Sequence, residues 1–136
     1  MRVYQLWRRV WLAGFLALAT IFAGAVAASG QEVLKTQEGI AHYYADKYQG
    51  RTTASGVPFN NNAMVAAHRT WPFGTIVRVT AVKSGESVEV EIVDRIGRRS
   101  PAVIDLSQEA ADHLGFLKTG EGKISVRLEA IKWGKK

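Results

Sequence analysis

An all-β domain, a small closed barrel of about six short strands with one short helix, is the fold that this sequence predicts. Three observations lead there. Several stretches alternate apolar and polar residues with period two. Thirteen glycines among 136 residues supply tight turns, and a hydrophobic content of 47% supplies a core. Closing the sheet removes the exposed edges that short strands would otherwise present.

The first element is an export segment. Residues 1–9 carry Arg2, Arg8 and Arg9 and no acid, and residues 10–30 carry no charge. The apolar run closes on Ala25-Val26-Ala27, small residues at the positions a signal peptidase inspects. The run is also long enough to be an uncleaved membrane anchor, since about 20 apolar residues span a bilayer. Its alanine content and cleavage-like end favour removal. A signal peptide over 1–27, a polar leader over 28–38 and a barrel domain over 39–132 follow. The only contact with a membrane is then through the export segment.

The strands come next. Residues 40–44, 64–67 and 103–105 are short candidates. In residues 75–82, Val77 and Val79 point one way and Ile76 and Arg78 the other. In residues 87–93, Val88, Val90 and Ile92 share a face. Lys83-Ser84-Gly85-Glu86 between these two is a hairpin turn with Gly85 at positive φ. In residues 123–131, Ile124, Val126, Leu128 and Ala130 form an inner face. The helix runs from Ser107, its N-cap, to about Leu114, with Glu109 near its positive end and Gly115 ending it.

Composition narrows the chemistry. There is no cysteine, which excludes disulfides, thiolate nucleophiles, thiolate zinc sites and lipid modification of a cysteine. Removing Arg2, Arg8 and Arg9 takes the formal charge from +6 to +3, a bias suited to an anionic surface. Export removes nucleic acid as a partner.

Asp94 follows the alternating stretch 87–93, beside apolar walls, with Arg95, Arg98 and Arg99 close behind. A carboxyl in that setting suits a general acid, although a surface Asp–Arg turn has the same local pattern. His68 and Arg69 follow the apolar stretch 64–67. A histidine at a strand end can shuttle a proton or hydrogen-bond a sugar, or be a satisfied structural residue. His42 and His113 stand at no metal-site spacing from it, so no metal and no cofactor is expected. Tyr43, Tyr44, Tyr48, Trp71 and Phe73 could offer flat rings to sugar faces, or close the core.

Together these pieces resemble one family. Gly39-Ile40-Ala41-His42-Tyr43-Tyr44, Gly50-Arg51-Thr52-Thr53-Ala54-Ser55-Gly56, Ala66-Ala67-His68-Arg69-Thr70-Trp71-Pro72-Phe73-Gly74, Val93-Asp94-Arg95 and Val103-Ile104-Asp105-Leu106-Ser107 are similar to the RlpA-like proteins, the rare lipoprotein A transglycosylases. The resemblance implies a six-stranded double-psi β-barrel, related in fold to expansins. It implies endolytic cleavage of peptidoglycan glycan strands, in a lyase-type reaction that leaves 1,6-anhydro-muramic ends without consuming water. It places Asp94 as acid and base, His68 beside it, and Arg69, Tyr43, Tyr44, Trp71 and Asp105 along the substrate groove. It further implies a monomer in the periplasm or cell envelope, though not a lipoprotein. The sequence departs from the family where a glutamate is usual, at Val57, and Asp-Arg-Gly-Pro has become Asp94-Arg95-Ile96-Gly97. The alternative is an expansin-like wall-loosening module that binds glycan with little or no cleavage.

Overall fold

The computed structural model describes residues 31–135; the export segment lies outside them. Six strands close into one barrel: β1 (Lys35–Tyr43), β2 (Val65–His68), β3 (Ile76–Ala81), β4 (Ser87–Asp94), β5 (Ile104–Leu106) and β6 (Ile124–Lys132), with one α-helix, α1 (Gln108–His113). Their order around the barrel is β1-β5-β2-β4-β3-β6. β1 runs parallel to β5 and β2 parallel to β4; the other four pairings are antiparallel. This is the six-stranded double-psi barrel with one short helix that the sequence predicts.

Each expected strand is present, and one begins earlier than the sequence suggests. β1 starts at Lys35, inside the stretch read as polar leader, because Lys35 to Ala41 pair in unbroken antiparallel register with Ala130 to Ile124 of β6. Its first half is solvent-exposed, so it carries no apolar alternation to betray it. The barrel interior is filled from the expected faces: Val77 and Val79 from β3, Val90 and Ile92 from β4, and Val126, Leu128 and Ala130 from β6. Ala41, Ala66, Ile104 and Leu106 complete the ring from the three strands that later carry the site. Burial of such side chains supplies about 1.5–3 kcal/mol each and dominates the stability of so small a domain.

Local chemistry fixes the connections. Gly85 takes φ 75° in the β3–β4 hairpin, as its turn requires. Ser107 Oγ accepts from Ala110 N at 3.1 Å and caps α1, while Asn61 Oδ1 takes the exposed N–H of Gln108 at 2.8 Å. At the C-terminal end, Gly134 passes so close to the Phe73 carbonyl that a Cβ there would collide with it. That close approach brings Trp133 edge-on to Trp71, with ring centroids 5.8 Å apart.

Candidate functional site

The site grows out of one row of paired residues. Ala67 of β2 is registered with Asp105 of β5 on one side and Asp94 of β4 on the other. His42 of β1 is registered with Asp105 in turn. The neighbouring row, Ala41–Ile104 and Ala66 with Leu106 and Ile92, belongs to the core. Side chains alternate across a strand, so His42, Asp105, Ala67 and Asp94 share the outer face of the wall. Strand spacing puts the two aspartate Cα atoms roughly 10 Å apart.

The two carboxyls have different surroundings. Asp94 Oδ2 accepts from the Tyr44 hydroxyl at 2.6 Å, and its Oδ1 accepts from the Ala54 backbone N–H at 2.9 Å. The Tyr44 ring is fixed against Phe59, with centroids 4.1 Å apart, and against Tyr48 at 5.5 Å. Burial, with the hydrogen bond to Asp94 next, holds the Tyr44 phenol well above its usual range, so it remains a donor. Asp105, by contrast, has a buried Oδ1 without a hydrogen-bond partner. Burial raises its pKa above the usual aspartate value; Asp94 adds to that, and His42 and Arg69 oppose it. One carboxyl is therefore held by two donors, while the other is buried with an oxygen that has no partner.

His68 goes elsewhere. It follows Ala67 on β2 and so lies on the inner face, only 2% exposed, opposite Ile104. Its Nδ1 accepts from the backbone N–H groups of Thr70 and Trp71, both at 3.0 Å. That fixes the tautomer: Nε2 carries the hydrogen and donates to Gln37 Oε1 at 2.7 Å. Burial, followed by the fields of Arg95, Arg69 and Lys35, lowers its pKa to about 4. The structure thus separates His68 from Asp94, and both its ring nitrogens hold protein groups.

The remaining expected site residues divide. Tyr44 joins Asp94. Tyr43, pointing the other way from β1, meets Phe116 edge-on at 5.0 Å. Trp71 is 4% exposed and stacks on His68 at 4.3 Å, so its ring is core and not a platform for sugar. Arg69 sits in the field of Asp105, with its guanidinium donating to the Ser100 carbonyl at 2.7 Å. Arg95 lies 3.9 Å over the Phe73 ring and donates to the Trp71 carbonyl at 2.9 Å, holding the 68–73 turn.

Sequence reading missed three contributors: the Ala54 N–H, Gln37 as partner of His68, and the orphaned oxygen of Asp105. None has a sequence signal, because each depends on what faces it. Among the described residues no group of three His, Asp or Glu side chains is placed to hold a metal ion. Two clefts among the described residues stand out. The larger, about 700 Å³, lies between the β3–β4 hairpin and the end of α1 and includes none of the expected site residues. The smaller, about 340 Å³, is lined by Val57, Glu91 and Val93, beside Asp94.

Comparisons with known proteins agree with this fold. A family model described as lytic transglycolase matches residues 36–127. The chain is 45% identical over 96 residues to a Synechocystis protein named probable endolytic peptidoglycan transglycosylase RlpA. It is 41% identical over 96 residues to the Neisseria meningitidis endolytic peptidoglycan transglycosylase RlpA. Each alignment covers 71% of this chain but only 30% and 39% of those relatives, so the chain spans about a third of their length. Among solved structures, the apo expansin of Clavibacter michiganensis superposes with a TM-score of 0.56 at 25% identity, over 75% of this chain and 53% of the expansin.

Proposed function

Since the chain belongs to the lytic transglycolase family, we propose that its barrel cleaves peptidoglycan glycan strands as an endolytic transglycosylase. One observation carries this reading. Two carboxyls with different surroundings share the outer face around Ala67, Asp105 with a buried oxygen that has no partner, Asp94 held by two donors.

Such a pair suits an intramolecular displacement. Asp105 gives its proton to the glycosidic oxygen as the bond to the anomeric carbon breaks. The C6 hydroxyl of the same sugar attacks that carbon, and its proton passes to Asp94. The products are a free hydroxyl on the leaving sugar and a 1,6-anhydro ring, with no water consumed. Tyr44 and the Ala54 N–H orient Asp94 toward that hydroxyl. General acid and base contributions of this kind are worth about 10²–10⁴-fold each. His68 has a positioning role here: it ties the 68–71 turn to β1 through Gln37.

The site is proposed to act outside the cytoplasm, in the periplasm or envelope, on glycan strands and as a monomer. Purified sacculi digested with the full chain, with products read by mass spectrometry, test the reading. Anhydro-muramic ends from the wild type, absent with Asp94→Asn and with Asp105→Asn, are expected. A second reading, glycan binding without cleavage, draws on the expansin likeness and on the exposed Val57. It gains if sacculi are bound and no ends appear.

A further inference from the structure

In a regular strand, residues three apart face opposite ways, so Glu91 and Asp94 should diverge. They do not. The β2–β4 register slips between Ala66 and Ala67: Ala66 pairs with Ile92, but Ala67 pairs with Asp94, leaving Val93 unopposed. Val65–Glu91 and Ala67–Asp94 are consequently successive rows on one outer face. The bulge exists only in the paired sheet, and it turns a solvated strand residue into a neighbour of the site.

Over the Val65–Glu91 row lies the cleft of about 340 Å³. The loop that walls it is the one that serves the site. Ala54 N holds Asp94 Oδ1 at 2.9 Å, and Ser55 N is tied to the Val93 carbonyl at 3.2 Å. The cleft therefore continues the Asp94 row. Its size sits at the lower end of small-molecule sites, roughly 300–1,000 Å³. Val57, Pro58 and Phe73 give it apolar wall, Ser55 and Asn60 give it neutral polar groups, and Glu91 gives its one charge. Glu91 makes no ion pair or side-chain hydrogen bond with any described residue.

Resting on the transglycosylase reading, we propose that this cleft is a sugar subsite next to the reacting bond, selective for a neutral N-acetylhexosamine ring. A sugar has an apolar C–H face and a rim of hydroxyl donors. The apolar wall matches the face. An ionised glutamate accepts only, so it takes hydroxyl hydrogens and can take two at once. The same charge repels a ring that carries its own acid, as a lactyl-bearing sugar freed of its peptide does. Glu91 is then a specificity determinant, outside the proton transfers assigned to Asp94 and Asp105.

The test separates binding from cleavage. Calorimetry measures a neutral N-acetylglucosamine hexamer binding to the full chain carrying Asp94→Asn, alone and with Glu91→Gln or Glu91→Lys. Expected is an about tenfold weaker hexamer complex with Glu91→Gln, the size of one hydrogen bond to a charged group. In Glu91→Lys, preference should move toward glycan bearing free lactyl acids. On sacculi, Glu91→Gln alone should raise KM with kcat nearly unchanged. No hexamer binding, or equal binding by all three proteins, overturns the subsite whatever the cleavage assay gives. Glu91-dependent binding without any cleavage upholds the subsite and overturns the transglycosylase reading.

Discussion

Asp105 and Asp94 are both registered to Ala67, from β5 on one side and β4 on the other, so the two aspartates flank it on one outer face. Only Asp105 keeps a buried oxygen without a partner. Replacing it with asparagine removes the ionisable group. Asp105→Asn should lose anhydro-end formation by about 10²-fold or more. It should also lose the part of the wild type's decline in stability with rising pH that Asp105 causes, since ionising a buried carboxyl opposes folding. The sign follows from the raised pKa: the folded state holds the proton longer, so wild-type stability falls as pH rises above the unfolded value of 3.8. Digestion of sacculi and urea unfolding check both. Full turnover in a folded Asp105→Asn would return the donor role to Asp94.

The hydroxyl of Tyr44 is the second handle. Tyr44→Phe keeps the ring on Phe59 and Tyr48 and deletes only the donor to Asp94 Oδ2. Turnover should fall about tenfold, as for losing one hydrogen bond to a charged group. The melting temperature should change little. Tyr44→Ala should also lose stability, since it empties the aromatic cluster.

His68 should report on folding through pH. The folded imidazole resists protonation down to about 4, whereas the unfolded one accepts a proton near 6.5. Stability is therefore complete above pH 6.5 and declines as pH falls toward 4, by up to about 3 kcal/mol. In His68→Asn the amide oxygen can still take the Thr70 and Trp71 N–H groups, and this decline should flatten. Urea midpoints at pH 4.5 and 7 decide it. A pH slope identical in wild type and variant would remove His68 from the acid response.

Val57 is 54% exposed, so a charge there should alter stability by no more than about 0.5 kcal/mol. The family resemblance puts glutamate at this place. Val57→Glu should raise release of anhydro ends severalfold over wild type, and adding Asp94→Asn should abolish the gain. Strong wild-type release that Val57→Glu leaves unchanged would show that the cleft already has the carboxylate it needs.

The processing expectation concerns residues outside those the structure describes. Mature protein recovered from the envelope should begin near Ala28, after Ala25-Val26-Ala27. N-terminal sequencing that finds Met1 on membrane-bound protein would establish the anchor instead.

The barrel's parts are legible along the chain. Alternation in β3, β4 and β6 is written by single strands, because which side chains enter the core depends on period two alone. The Ser107 cap, the Gly85 turn and the end of α1 at Gly115 are equally local. The first half of β1 escaped because its residues are polar and its place in the barrel comes from pairing with β6. Tertiary structure decided the chemistry. The sequence set His68 beside Asp94 through its family resemblance, but pleating turns His68 inward and Asp94 outward. It offered Trp71 as a sugar platform, and packing on His68 buried it. It gave no sign that Asp105, in an ordinary Ile-Asp-Leu strand, would be left unpartnered beside Asp94. Nor could it show that a bulge at Val93 brings Glu91 onto the same face. Each of these depends on register between strands far apart in sequence, and register is fixed only when the barrel closes.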